Sequence, residues 1–158
     1  MYEDQLNHLR KYKVTFQNQL SICFPGYLDL FKDGYSDIPM TILKKYPHPD
    51  LLKNKKAETV ARYLEKNTCH THKVSLEYAL KIIEFAKKTY PGCEKDDVEV
   101  EIFKILLDKV IETQRECEKT LNEMITVAST LEEYRYISSI DGIGAQSLLQ
   151  RIIQRLEI

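Results

Sequence analysis

The chain has 158 residues, of which 43% are hydrophobic and 30% charged, with five glycines, five prolines, no tryptophan and a formal net charge of −1. That length suits a core of moderate size, and the many Leu, Ile, Lys and Glu residues describe helices with charged outer faces. Met1-Tyr2-Glu3-Asp4-Gln5 has neither the basic opening nor the apolar centre of a secretory signal, and no apolar run approaches the ~18 residues of a membrane span. The four cysteines, Cys23, Cys69, Cys93 and Cys117, lie far apart without a Cys-x-x-Cys pair. Together these features argue against a disulfide scaffold and a membrane protein, and predict a cytoplasmic protein with reduced thiols.

From Tyr2 the larger side chains recur at Leu6, Leu9, Phe16, Leu20 and Cys23, with Lys13 where another apolar residue would fall. This three-four spacing predicts one helix, closed by Phe24-Pro25-Gly26 because proline disfavours helix in itself and in the residue before it. A short aromatic stretch, Leu28 to Tyr35, follows. Ser36 or Asp37 then caps a helix with Pro39 in its first turn, running through Ile42 and Leu43 toward Tyr46 and ended by Pro47-His48-Pro49. Val60, Tyr63 and Leu64 mark a further small helix from about Lys55 to Lys66, broken at Asn67-Thr68. Leu76, Ala79, Leu80, Ile83 and Ala86 mark another over residues 74–90, stopped by Tyr90-Pro91-Gly92.

From Val98 to about Tyr136 there is no Gly or Pro. A heptad frame there places Phe103, Leu106, Val110, Thr113, Cys117, Thr120, Met124, Val127, Leu131 and Tyr134 at its seam positions. Such a helix requires a partner, either the first helix lying antiparallel against it or the same helix of a second chain. The expected fold class is all-α: long coiled-coil-type helices, a small helical subdomain, and a C-terminal glycine hairpin between helices. The divisions are an N-terminal seam helix (1–24), the subdomain (25–97), the long helix (98–137) and a terminal segment (138–158).

Charge is distributed unevenly along the chain. Residues 41–90 carry eleven Lys or Arg against five Asp or Glu, whereas residues 91–134 carry five against twelve. The acidic residues Glu112, Glu116 and Glu123 of the long helix, with Lys119 between them, describe a solvated mixed-charge flank rather than a catalytic constellation. The basic group Lys44, Lys45, Lys53, Lys55, Lys56 and Arg62 can neutralise nucleic-acid phosphates and release their counterions; the plainer reading is solvated surface. Cys69-His70-Thr71-His72 brings three possible metal ligands together, but its spacing matches no established zinc finger, and the expectation is a polar connection without metal.

Ser138-Ser139-Ile140-Asp141-Gly142-Ile143-Gly144 precedes the apolar pattern Leu148, Leu149, Ile152, Ile153 and Leu156. Glycines lack the Cβ that keeps a backbone away from a phosphate, and a following helix N-terminus offers unpaired N–H groups to an anion. The reading is a helix-hairpin-helix turn in which Gly142, Ile143 and Gly144 present amides and Arg151 and Arg155 reinforce the contact. A capped helix–helix turn is the alternative. The apolar run stops at Ile158, as expected of an internal piece of a longer chain.

In order, Leu6-x-x-Leu9-Arg10, Asn18-x-Leu20, Phe24-Pro25-Gly26, Leu43-Lys44-Lys45-Tyr46-Pro47-His48-Pro49 and, after a long helix, Ser139-Ile140-Asp141-Gly142-Ile143-Gly144 resemble the IS-one-ten family of bacterial insertion-sequence transposases over nearly the whole chain. The resemblance implies a longer protein with an N-terminal RuvC-like domain bearing an acidic tetrad, a coiled-coil region, and a C-terminal transposase domain with a nucleophilic serine. It aligns this chain with the middle, so that neither Asp4 nor Ser147 takes a catalytic role. It further implies DNA transposition and recombination by the whole protein, RNA-guided target choice, a divalent metal for the acidic domain and no cofactor in this piece. DNA and a guide RNA are the implied partners. A homo-oligomer is expected through the seam residues Phe103, Leu106, Val110, Cys117, Met124, Val127 and Leu131. The alternative is a helical scaffold or protein-interaction module that binds no nucleic acid.

Overall fold

A computed structural model describes residues 1–131 together with Tyr136 and Ser139. Among the described residues the fold is all-α, with no strand: α1 (Tyr2–Cys23), α2 (Asp37–Lys45), α3 (Ala57–Asn67), α4 (His72–Lys88) and α5 (Val98–Ala128), with short 3-10 turns at Tyr27–Leu30 and Pro49–Leu51. They form two compact units, residues 10–111 and residues 1–9 with 112–158; α1 and α5 each run through both.

α1 ends where Phe24-Pro25-Gly26 predicts. Gly26 takes a left-handed conformation, φ 75° and ψ 3°, turning the chain into the first 3-10 segment. Lys13, which interrupts the apolar face of α1, lies with its Nζ 4.2 Å from the centre of the Tyr35 ring, so a cation–π contact occupies a place usually filled by a hydrocarbon. Ser36 precedes α2 in extended conformation but makes no side-chain cap. Its Oγ donates to the Asp33 carbonyl at 2.8 Å, while the Asp37 carboxylate accepts from the Ile38 N–H at 2.8 Å.

Within residues 10–111 the core joins every helix. Phe16 of α1 stacks on Phe103 of α5, ring centres 5.3 Å apart, and lies 5.9 Å from Tyr35. Gln19 donates to Glu99, and the Cys23 thiol donates to the Glu99 carbonyl at 3.5 Å. Rising residue numbers on α1 thus meet falling numbers on α5, which is an antiparallel pairing. A second aromatic series, Phe85, Phe24, Tyr27, Phe31 and Tyr78, links α4 to the end of α1 through centre distances of 4.9 to 6.1 Å. The wholly buried Tyr27 hydroxyl donates to the Pro39 carbonyl at 2.8 Å, so the ring brings α2 into the same core without an unmet polar group. α3 and α4 form a helical hairpin in which Val60, Ala61 and Leu64 bury with Ala79, Ile82, Ile83 and Ala86. The alanines let the backbones approach.

α5 begins at Val98, as predicted, and its 31 residues make it about 46 Å long at 1.5 Å per residue. The last turn tightens, with the Thr130 and Leu131 amides donating to the Val127 and Ala128 carbonyls. The unbroken helix expected to 137 is corrected: Ser129–Leu131 form a turn, and of the residues beyond only Tyr136, which is helical, is described up to 137. The heptad frame is corrected in one column. Phe103, Val110 and Cys117 are buried, but their companions shift by one residue: Leu107 is buried at 1% exposure and Leu106 only partly, and Ala128 is buried where Val127 is 67% exposed. Val100 and Leu107, seven residues apart, share the buried face with Phe103, Val110 and Cys117, while Thr113 keeps the expected column. In the other unit, residues 1–9 with 112–158, Leu9, Thr113, Cys117 and Ala128 are buried, and Met124 and Leu131 are half-buried.

Candidate nucleic-acid interface

Lys44 and Lys45 occupy the last turn of α2, and Lys55 and Lys56 lead into α3; all four are exposed. α2 and α3 are held together at this corner. The Tyr63 hydroxyl donates to the Thr41 carbonyl at 3.3 Å, and Tyr46 and Tyr63 meet edge to face at 6.2 Å. Lys45 Nζ lies 4.4 Å from the Tyr63 ring centre and 5.5 Å from that of Tyr46. Burial pushes the Tyr63 phenol above its ordinary pKa, with neighbouring Tyr46 adding to the rise, so the ring stays neutral beneath the ammonium. Lys44 and Lys45 complement the negative end of α2, whereas Lys55 and Lys56 stand at the positive end of α3, where a cation is electrostatically disfavoured. Among the described residues, no carboxylate within salt-bridge distance holds Lys44, Lys55 or Lys56.

Four of the other cations of residues 41–90 are engaged. Lys53 bonds Asp50 at 2.7 Å and keeps that carboxyl below the usual aspartate range. Arg62 bonds Glu58 at 3.2 Å, Lys88 bonds Glu84 at 2.8 Å, and Lys81 donates to the Leu30 carbonyl at 2.6 Å. The positive excess of the sequence thus divides into cations held by local partners, Lys53, Arg62, Lys81 and Lys88, and others, Lys44, Lys55 and Lys56 among them, that no carboxylate holds among the described residues.

Gly142, Ile143, Gly144, Arg151 and Arg155 lie outside the described residues. Of the expected dimer seam, Phe103 and Val110 belong to the core of residues 10–111 and are not available to a second chain. The physical reason is that α1 already covers that face. Leu106 packs partly against the same core, and Cys117 is buried at 5% exposure; Val127 alone among these seven is fully exposed.

The two histidines of Cys69-His70-Thr71-His72 turn to different acids. His70 Nε2 lies 3.1 Å from both carboxylate oxygens of Asp37, and His72 lies 3.0 Å from Glu65 and 3.5 Å from Glu58. The Glu65 hydrogen bond, then its charge, raise the pKa of His72 above the ordinary imidazole value. No group of three His, Cys, Asp or Glu residues that suits a metal ion occurs among the described residues.

Two features escaped the sequence. His48, between two prolines, is completely buried. Its Nε2 bonds the Cys93 carbonyl at 2.9 Å and its Nδ1 accepts from the Asp50 N–H at 3.2 Å, which assigns the neutral tautomer with the proton on Nε2. Cys23 and Cys93, 70 residues apart, place their sulfurs 3.8 Å from each other as free thiols. Burial, then Cys93, pushes the Cys23 thiol up to about 12, and burial raises Cys93 as well despite its bond to Cys23. Both thiols are poor nucleophiles at neutral pH. Pro-His-Pro marks a turn, but its sequence carries no sign of where the ring goes.

No known protein family matches the chain, and no curated protein or solved structure is significantly similar to it. Among the described residues no helix is long and apolar enough to cross a membrane.

Proposed function

We propose that this chain is the central helical region of a bacterial insertion-sequence transposase, contacting nucleic acid while the catalytic groups lie in flanking domains of a longer protein. The α2/α3 corner carries the reading. Lys44 and Lys45 end α2 and Lys55 and Lys56 lead into α3; among the described residues no carboxylate holds Lys44, Lys55 or Lys56, and Lys45 is braced on two aromatic rings. Such groups neutralise phosphates without reading bases, so the expected contact positions the duplex or RNA and leaves sequence choice to other elements. The ordered run of motifs from Leu6 to Gly144 supports the family assignment, and the Gly142-Ile143-Gly144 turn supplies a second phosphate contact in the same reading. DNA recombination and a divalent metal belong to the full-length protein.

The test is a titration against duplex DNA and structured RNA at two salt concentrations. Binding should weaken with salt, and replacing all four lysines by glutamine should lower both the affinity and the salt slope, the latter by roughly 0.9 for each duplex phosphate no longer neutralised. Gly144→Ala should weaken binding separately. Absence of binding at low salt would instead favour the helical scaffold, a reading to which the exposed Val98, Ile102 and Ile105 of α5 lend support.

A further inference from the structure

The last turn of α1 and the connection from α4 to α5 meet at a pair of thiols. Cys23 is fully buried and Cys93 partly exposed, and their sulfurs stand 3.8 Å apart, too close for another atom to lie between them. The backbones that carry them are tied one residue earlier. The Gly92 N–H donates to the Ile22 carbonyl at 2.8 Å, and a Cβ at Gly92 would stand 3.8 Å from the Ile22 Cα. The buried His48 ring fixes the Cys93 carbonyl as well. A sulfur–sulfur bond is ~2.05 Å long, so each sulfur has to advance by roughly 0.9 Å, within reach of a small turn about each Cα–Cβ bond.

Joining the sulfurs leaves no polar group stranded. The bond itself replaces the hydrogen that Cys93 donates to Cys23, and the Glu99 carbonyl that accepts from the Cys23 thiol at 3.5 Å keeps the Gln19 amide at 3.1 Å. We propose that Cys23 and Cys93 form an intramolecular disulfide when the chain meets a small disulfide oxidant of the glutathione class, and that this bond latches the end of α1 to the α4–α5 connection. Cys93, the partly exposed thiol, is the point of entry. Its thiolate attacks one sulfur of the oxidant, and the other sulfur leaves as a thiolate that takes up the proton. The Cys23 thiol then gives up its proton and attacks the Cys93 sulfur of the mixed disulfide, releasing the second small thiol. Two protein thiols are oxidised and one small disulfide is reduced to two thiols. Burial, with the charge of Glu99 near both, keeps these thiols protonated at neutral pH, so the reaction is slow, while the uncharged disulfide suits the same surroundings. In the unfolded chain the same bond closes a loop between residues 70 apart, and the freedom lost there favours the folded chain. The inference does not depend on nucleic-acid binding.

The test uses the full chain with Cys69→Ser, which removes the exposed thiol. It is equilibrated in glutathione buffers of stepped ratio, with and without urea, and the Cys23–Cys93 link is quantified by peptide mapping after acid quenching. The folded chain should reach half oxidation in a buffer roughly 100-fold more reducing than the unfolded chain needs, and by linkage the unfolding constant of the oxidised chain should be lower by the same factor. Circular dichroism should show the oxidised chain as helical as the reduced one. Cys93→Ser should be equally helical and show neither the link nor the gain in stability. A folded chain no more readily linked than the unfolded one, a link that fails to raise stability, or glutathione held at Cys93 that Cys23 never displaces would overturn the proposal.

Discussion

Replacing His48 should destabilise the fold far more than its position between two turn-forming prolines suggests. The ring is completely buried and bridges two backbone groups distant in sequence, donating to the Cys93 carbonyl at 2.9 Å and accepting from the Asp50 N–H at 3.2 Å. His48→Ala leaves both without a partner. An unmet buried polar group costs about 1–3 kcal/mol; the surroundings of Cys93 are only partly buried, which puts its carbonyl at the low end. Lost packing of the ring adds about 1 kcal/mol, for a total of about 3–4 kcal/mol, a large share of the roughly 5–15 kcal/mol of a typical domain. In His48→Asn the amide oxygen stands near the place of Nδ1 and keeps the Asp50 contact, while nothing reaches Cys93. That variant should lose about half as much.

The assay is urea unfolding followed by far-ultraviolet circular dichroism, with hydrogen exchange at the Asp50 amide as a local readout. His48→Ala should accelerate that exchange strongly and His48→Asn only slightly. A loss below about 1 kcal/mol for the alanine variant, or equal losses for the two, would refute the bridging role.

Gly26→Ala should cost about 1–2 kcal/mol, since φ of 75° disfavours any Cβ and the new methyl would meet Phe85 Cζ at 3.2 Å; an unchanged urea midpoint would contradict that. A thiol reagent at neutral pH should modify exposed Cys69 first and leave buried Cys23 unreacted until the chain unfolds, and a fast reaction at Cys23 in folded protein would show that its thiol is not raised to about 12. His72 should titrate above the ordinary imidazole range by nuclear magnetic resonance, and Glu65→Gln should bring it down. Because the folded pKa is the raised one, the His72–Glu65 pair stabilises most below the unfolded pKa of about 6.5 and less as pH rises through the folded value, so stability falling with acid across that window would run against the pair.

The helical course of the chain was legible because its boundaries rest on local chemistry. Phe24-Pro25-Gly26, Pro47-His48-Pro49 and Tyr90-Pro91-Gly92 stop helices through fixed dihedrals and missing donors, whatever lies around them. What a helix face touches was less legible. A seam read along α5 identifies Phe103 and Val110 as apolar but cannot tell whether α1 or a second chain covers them, because Phe16 and Leu20 are equally good partners. The same limit hid the bracing of Lys45 on Tyr63, 18 residues away, and the pairing of Cys23 with Cys93 across 70.

The buried positions of α5 also locate its outer face. With Leu107 rather than Leu106 fully buried, the inward face of the helix carries Val100, Phe103, Leu107 and Val110. A heptad read strictly treats Val98, Ile102 and Ile105 as flank positions, where lysine and glutamate are the usual occupants. Three β-branched aliphatics in their place are costly to leave in water and contribute nothing to the core of their own chain. The charged residues around them are engaged within the chain, Lys104 with Glu101 and Glu99 with Gln19. A nucleic-acid backbone would be repelled by the two glutamates beside this strip. The lysines of α2 and of the lead into α3 and the aliphatic strip of α5 are therefore distinct surfaces, and a polar substitution at Ile102 should leave salt-dependent nucleic-acid binding unchanged.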